Sequence, residues 1–154
     1  MSRAFVREQD GETIDTLPDR PVSPHPNLVT KTGLARIEAA IAEAQAALAS
    51  AQAVSDRTAI HAATRDLRYW SSRRANAQIV APSNDVSKAR FGASVTIMRD
   101  DGREQTFRIV GEDEADPSRG SVSHVSPLAR ALLGKSIGDV VHVGNAEIEV
   151  MSIA

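Results

Sequence analysis

The chain has 154 residues, of which 42% are hydrophobic and only 3% aromatic, and its formal net charge is −2 at neutral pH. This length accommodates one ordinary domain, or a small domain with a helical extension, and the hydrophobic content is sufficient for a core. The charge balance excludes a generally basic nucleic-acid coat, the lack of cysteine excludes disulfide and thiolate chemistry, and no apolar run approaches the ~20 residues of a membrane span. We therefore expect a cytoplasmic protein that does not associate with membranes.

The first segment of the chain, residues 1–29, is polar and contains four prolines. A proline disfavours helical geometry in the residue before it, which excludes a helix over the run PVSPHP. We interpret the segment as a flexible tail with polyproline character. The alternative is a segment that docks on the body of the protein or on a partner.

Residues 30–80 are predicted to form an antiparallel coiled-coil hairpin. Apolar residues recur at steps of three and four in each half, and each half needs the other to bury its seam. A turn is predicted between Gln52 and Asp56, where Ser55 or Asp56 can cap the second helix. The two seams are Leu34, Ile37, Ile41, Ala44, Leu48 and Ala51 in the first half, and Ile60, Ala63, Leu67, Trp70, Arg74 and Ala77 in the second.

The second half of the hairpin carries a stripe of arginines that a single acid, Asp66, interrupts. Clustered arginines attract phosphate, so the stripe is a candidate contact with RNA or with an acidic groove on a protein. The alternative is a solvated face that keeps the hairpin soluble. The candidate contact residues are Arg57, Arg65, Arg68 and Arg73.

After a linker around Pro82, residues 88–154 follow the alternating period that is typical of strands. Asp101 and Gly102 form a strong hairpin signal between the first two strands. Several strands with one helix predict a small α+β domain built on an antiparallel sheet. The later strands are predicted over Ser121–Val125, Val140–Val143 and Ala146–Ile153.

The helix of this second domain is marked by its capping residues. Ser126 is the predicted N-cap, because a serine oxygen can accept an unpaired N–H of the first turn. Pro127 fits the first helical position, where no N–H is needed, and Gly134 fits the left-handed position just beyond the end. The run LARALL between them offers one apolar face for a sheet to cover.

The runs RFGASVTI, FRIVGEDEAD and SPLARALLGKSIGDVV resemble the C-terminal domain of the bacterial Gre factors, GreA and GreB, nearly continuously from Arg90 to Val150. The resemblance implies an FKBP-like α+β domain after a coiled-coil hairpin, and binding to RNA polymerase at its secondary channel. It implies that Ser126 and Pro127 contact the polymerase, and that nascent RNA or DNA is met only indirectly, within the elongation complex. We expect a monomer with no enzymatic activity of its own.

The hairpin tip departs from the family pattern. Gre factors display paired acids there, in a motif like GDLKENAEYHAA, which help to hold a second Mg²⁺ for transcript cleavage. When the motif is aligned on His61, its second acid corresponds to Asp56 and its first to Ala53. Each arm of the hairpin is about nine residues, or about 13 Å, shorter than usual. The resemblance implies Asp56 as the candidate tip carboxylate, no cofactor bound by the chain alone, and any Mg²⁺ shared with the polymerase active centre.

Three functions remain open from the sequence. The first is an elongation factor that modulates transcription and assists transcript cleavage. The second is a regulator that occupies the polymerase channel without stimulating cleavage. The third is an FKBP-like prolyl isomerase or chaperone, for which the second domain offers only Phe91 and Phe107 as pocket aromatics.

Neither the acidic cluster nor the histidines of the chain have the spacing of a metal site. A hard cation needs several oxygens that converge from different directions, and the acids share one short loop without EF-hand spacing. We therefore interpret that loop as solvated. The acids are Glu112, Asp113, Glu114 and Asp116, and the histidines are His25, His61, His124 and His142.

Overall fold

The computed structural model describes residues 17–154. Their contacts define two compact units, which are described separately. The first contains Glu38–Ala75 together with the described residues up to Val22, and the second contains Ser23–Ile37 and Asn76–Ala154. No helix in the part of the chain that the structure describes is long and apolar enough to cross a membrane.

Two helices correspond to the predicted hairpin, α1 over Lys31–Ala53 and α2 over Arg57–Ala75. The short connection between them and an ion pair of 3.3 Å from Arg74 Nη2 to Glu38 Oε1 fit an antiparallel arrangement. The helical seam was predicted to continue to Ala77, whereas α2 ends two residues earlier. The buried apolar residues of the two helices all lie on the predicted seams: Ile37, Ala44, Ala51 and Ala63.

The residues just before α1 and just after α2 pair as a two-stranded parallel sheet. Strand β1, Asn27–Val29, precedes α1 and pairs with β2, Ala77–Ile79, which follows α2. Asn27 and Val29 are both 3% exposed. Three residues of the predicted tail over residues 1–29 therefore belong to a sheet. The prediction for residues 1–16 lies outside the described residues.

The second unit also contains a five-stranded sheet with one helix, α3, over Pro127–Leu132. This arrangement confirms the predicted α+β class. The sheet is mixed rather than wholly antiparallel, because β4 and β5 pair in parallel across Arg108 and Ser121. In the order β5-β4-β3-β7-β6, the strands are β3 over Ser94–Arg99, β4 over Glu104–Val110, β5 over Ser121–Ser123, β6 over Val140–Val143 and β7 over Ala146–Ile153.

The core of this unit lies between α3 and one face of the five-stranded sheet. Alternate residues of the strands point to the same face, so Val95 and Ile97 of β3 and Ile148 and Val150 of β7 are all fully buried. Helix α3 contributes Ala129 and Leu132 to the same cluster. The capping residues at the start of α3 consequently lie at the border of a well-packed core.

Candidate functional site

The start of α3 forms the first candidate site, and its geometry confirms the predicted cap. Ser126 Oγ accepts a hydrogen bond of 3.2 Å from the backbone N–H of Ala129, and Pro127 occupies the first helical position. Gly134, at a φ of 79°, ends the helix and donates its N–H to the Ala89 carbonyl at 2.8 Å. Pro127 is exposed, so a rigid apolar ring is presented at a fixed helix end.

A residue from before β1 also reaches α3. His25 Nε2 lies 3.5 Å from Arg130 Nη2, one turn after Pro127. Both side chains are exposed, as is Pro127 on the same short helix. The α3 edge, defined here as Ser126, Pro127 and Arg130, therefore has both an apolar and a polar part.

The hairpin tip is a tight turn with a single carboxylate. Ser55 adopts a φ of 55°, which reverses the chain between α1 and α2. Asp56 then caps α2, because its Oδ1 accepts a hydrogen bond of 3.1 Å from the Ala59 N–H. Ala53 supplies no second acid, and Val54 beside it is 74% exposed. Among residues 17–154, no three His, Cys, Asp or Glu side chains are grouped to hold a metal ion.

Arginines of α2 form ion pairs within their own unit, which the sequence did not indicate. Arg68 Nε lies 3.1 Å from Asp19 Oδ1, and Arg65 Nε lies 3.9 Å from Asp66 Oδ1. Arg73 is only 2% exposed, so this structure presents none of its guanidinium for the predicted contact with RNA or polymerase. The composition of the basic stripe does not distinguish an exposed arginine from a buried one.

Glu114 corrects the interpretation of the acidic cluster as a solvated loop. It is 7% exposed, and its Oε2 accepts a hydrogen bond of 2.7 Å from Thr30 Oγ1. Thr30 Oγ1 in turn accepts the Gly33 N–H at 2.9 Å, as the N-cap of α1. A Cβ added at Gly33 would lie 2.9 Å from Glu114 Oε2, so glycine allows this approach. The carboxylate fixes the start of α1.

Asp116, in the same loop, has a local structural role. It caps the short 3₁₀ turn Pro117–Arg119 and accepts hydrogen bonds from the hydroxyl and the N–H of Ser118. The Ser118 hydroxyl is the main cause that lowers the pKa of the Asp116 carboxyl below its ordinary value. The ionised form is therefore the one that closes this turn.

Two contacts escaped the sequence analysis because they join residues far apart in the chain. A Cβ at Gly111 would lie only 2.5 Å from the Leu28 carbonyl oxygen, so β1 packs directly on the glycine backbone. Arg20 lies over Tyr69 and Trp70, with its Cζ 4.0 Å from the centre of the Tyr69 ring. The available signal was that the single Tyr and the single Trp of the chain are adjacent on α2.

Two grooves lie beside Phe91 in the second unit, and neither is lined by several aromatic residues. One groove of about 210 Å³ runs beside Thr30, Pro82 and Arg108, and another of about 180 Å³ runs beside Asp85 and Arg90; Phe91 is the aromatic residue in each. The Phe91 ring itself packs against His124, with the ring centres 5.5 Å apart.

Comparison with known proteins identifies relatives of this chain. Residues 83–154 match the family described as transcription elongation factor GreA/GreB, C-terminal. The transcription elongation factor GreA of Alkalilimnicola ehrlichii is 39% identical over 132 residues, which cover 77% of this chain and 81% of that protein. GreB of Neisseria meningitidis serogroup B is 41% identical over 95 residues, or 58% of each chain.

The solved structure of GreA factor homolog 1 (Gfh1) of Thermus thermophilus aligns with 84% of this chain and 99% of that chain, at 22% identity and a TM-score of 0.40. The chain belongs to the GreA/GreB family of transcription elongation factors.

Proposed function

We propose that this protein binds bacterial RNA polymerase at its secondary channel, docking through the α3 edge and inserting the hairpin of α1 and α2. Docking through this edge is supported by the capped start of α3, together with the membership of the chain in the GreA/GreB family. Ser126 and Pro127 hold a helix end rigidly on the core, and Pro127 is exposed. A preorganised apolar ring loses little conformational freedom on binding, which favours a defined contact.

A substitution at the docking residue tests this proposal. Pro127→Arg should weaken binding to core RNA polymerase at least tenfold, because it puts a long charged side chain into an apolar contact. The matched control is Pro117→Arg, which changes an exposed proline at the first position of the 3₁₀ turn. Titration calorimetry gives both affinities. Equal affinities for Pro127→Arg and the wild type would remove the α3 edge from the proposal.

Within the channel, we infer that the hairpin acts by occupancy, and that it does not supply a second metal site. A weakly held Mg²⁺ needs added carboxylates, and the tip offers Asp56 with Ala53 in place of a partner. The Asp56 carboxylate is already used as the cap of α2. Assistance of transcript cleavage is the second candidate function. It would require Asp56 to leave Ala59 and to share the polymerase Mg²⁺.

Three arginines of α2, of which Arg57 and Arg68 are exposed and Arg65 is half-buried, are proposed as secondary contacts. Arg57, Arg65 and Arg68 lie on the helix that would enter the channel, and they can approach an acidic protein wall or the nascent RNA. The prolyl isomerase alternative has less support, because the grooves beside Phe91 offer one aromatic residue each. A peptide isomerisation assay on the whole chain tests that alternative, for which we expect no acceleration.

A further inference from the structure

Strand β6 forms one edge of the five-stranded sheet. In the part of the chain that the structure describes, β6 pairs with β7 and has no strand on its other side. Many edge strands carry a lysine, a proline or a bulge that discourages further pairing. The four residues of β6 read Val-Val-His-Val, and their register with β7 is regular. This short edge is therefore open to another strand.

The main-chain groups of Val140 and His142 point away from the sheet. Val150 of β7 donates its N–H to the Asp139 carbonyl at 2.9 Å, so position 139 is hydrogen-bonded to β7. Hydrogen-bonded positions alternate along an antiparallel strand, so Val141 is bonded to β7 as well. The N–H and C=O groups of Val140 and His142 consequently face outward, where a further strand can bond to them.

A groove of about 320 Å³ lies beside this edge. Its lining includes Met98 of β3 and Val140 of β6, which is 48% exposed. Glu149 of β7 lies between them, because it pairs with Met98 on one side and with Val140 on the other. Successive side chains of a strand point to opposite faces, and Ile148 and Val150 are buried, so the groove lies on the face opposite the core.

The lining of the groove is acidic as well as apolar. It contains three carboxylates, those of Asp100, Glu147 and Glu149, and one guanidinium, that of Arg99. Arg99 donates a hydrogen bond of 2.6 Å from Nε to Gln105 Oε1. In the described part of the chain, none of the three carboxylates forms an ion pair. The excess of negative charge favours a basic ligand and disfavours nucleic acid.

We propose that β6 binds an extended segment of another protein, in which lysine or arginine alternates with apolar residues. The segment adds to the sheet as a further strand and bonds to the outward main-chain groups of Val140 and His142. Its basic side chains lie on the outer face, where their stems cover Val140 and their charges approach Glu147 and Glu149. Its apolar side chains point to the other face and extend the core beside Val141.

This mode of binding divides affinity and specificity between two parts of the interface. Main-chain hydrogen bonds supply affinity for any extended segment, and the alternate side chains select its sequence. The acidic groove therefore sets which segments are accepted at an edge that is otherwise indifferent to sequence. The interface uses neither the α3 edge nor the hairpin, so it goes beyond the proposed function and does not rest on it.

Addition of a strand can be measured on the free protein with a short peptide in which lysine alternates with valine. The outward amide protons of Val140 and His142 should exchange with solvent at least about tenfold more slowly when the peptide is bound, because each then has an acceptor. Hydrogen exchange followed by NMR reports each amide separately, and the effect should saturate below about 1 mM peptide. Unchanged exchange at both positions overturns the proposal.

Two N-methylated forms of this peptide separate main-chain pairing from the attraction of charges. Methylation of either the lysine amides or the valine amides leaves the charge unchanged and removes one alternate set of donors. Only one of these sets faces β6 in an added strand, so one methylated peptide should lose binding and the other should keep it. Equal behaviour of the two peptides, whether both bind or neither does, overturns the pairing with β6.

The role of the acidic groove is tested with Glu149→Gln. Loss of this charge should weaken binding of the lysine peptide by about twofold to fivefold, the range of an exposed ion pair. The matched control is Glu43→Gln, which makes the same change at an exposed position of α1 in the first unit and should bind like the wild type. Equal affinities for Glu149→Gln and the wild type overturn the assignment to a basic segment. Binding of a glutamate–valine peptide as tightly as the lysine peptide has the same meaning.

A second copy of this chain is the alternative occupant of the edge. If exchange at Val140 and His142 slows as the protein concentration rises without any peptide, the edge belongs to a second copy, and the assignment to another protein is overturned. None of these measurements includes polymerase. A failure of this protein to bind polymerase would therefore remove the proposed function and leave the result for β6 unaffected.

Discussion

Gly111 lies where an added methyl group would collide with the carbonyl oxygen of Leu28 at 2.5 Å. Gly111→Ala should therefore displace β1 and lower the free energy of unfolding by about 1–3 kcal/mol, the usual cost of forced overpacking. Chemical denaturation measures this loss. Gly144→Ala is a contrasting variant: its φ of 61° makes alanine strained although no neighbouring atom lies within 4 Å, so any loss of stability there has a backbone cause that Gly111 does not share. A Gly111→Ala protein as stable as the wild type would show that β1 does not rest on this glycine.

Glu114 makes a second prediction at the residue scale. Glu114→Ala leaves the Thr30 hydroxyl without its buried acceptor and should cost about 1–3 kcal/mol of unfolding free energy. Glu114→Gln keeps an amide oxygen that can accept from Thr30, so most of the stability should return. Thermal unfolding of the two variants separates the hydrogen bond from simple loss of packing. Equal losses in both variants would contradict the role of this acceptor.

Single residues also show why some features were predictable and others were not. The cap of α3 was predicted in full, because Ser126, Pro127 and Gly134 act through bonds to their near neighbours. The burial of Glu114 depends on Thr30, 84 residues away, and nothing in the acidic run itself indicates such a partner. Arg73 was assigned to an exposed stripe for the same reason.

At the scale of elements, the heptad seams predicted both helices because their burial repeats regularly along the chain. The short strand β1 has no such repeat, and its three residues form a strand only because β2 pairs with them. The parallel pairing of β4 and β5 likewise depends on the path of the loop between them. The local sequence pattern therefore predicted the two helices, whereas the pairing of strands that are distant in the chain could be seen only in the structure.

A charge placed on the apolar seam of α2 should destabilise the hairpin. Leu67 is half-buried on the α2 seam, so Leu67→Asp would place a charge against apolar neighbours and should lower stability by about 1–3 kcal/mol. Ala46→Asp is the matched control, because it puts the same residue on an exposed position of α1. On heating, circular dichroism should show that Leu67→Asp loses its helix at a lower temperature than the wild type, whereas Ala46→Asp melts like the wild type. Equal behaviour of the two variants would mean that the seam faces elsewhere.

At the scale of the whole molecule, the hairpin tip decides between the two transcription functions. With one capped carboxylate, the wild type should not accelerate Mg²⁺-dependent cleavage in backtracked elongation complexes, even at saturating concentration. Asp56→Asn keeps an oxygen that can cap α2 and loses the negative charge, so it should bind polymerase like the wild type. Cleavage by the wild type that Asp56→Asn abolishes would instead establish assistance of the reaction.

The bond between Thr30 and Glu114 also has a consequence for the order of folding during synthesis. Ribosomes release a chain from its N-terminus, so α1 and α2 can pair before the acidic loop has been made. The first turn of α1 acquires its partner only after residue 114 emerges. Nascent chains halted before that point should therefore carry a formed hairpin whose first turn is open to proteases, and the next stretch of translation closes it.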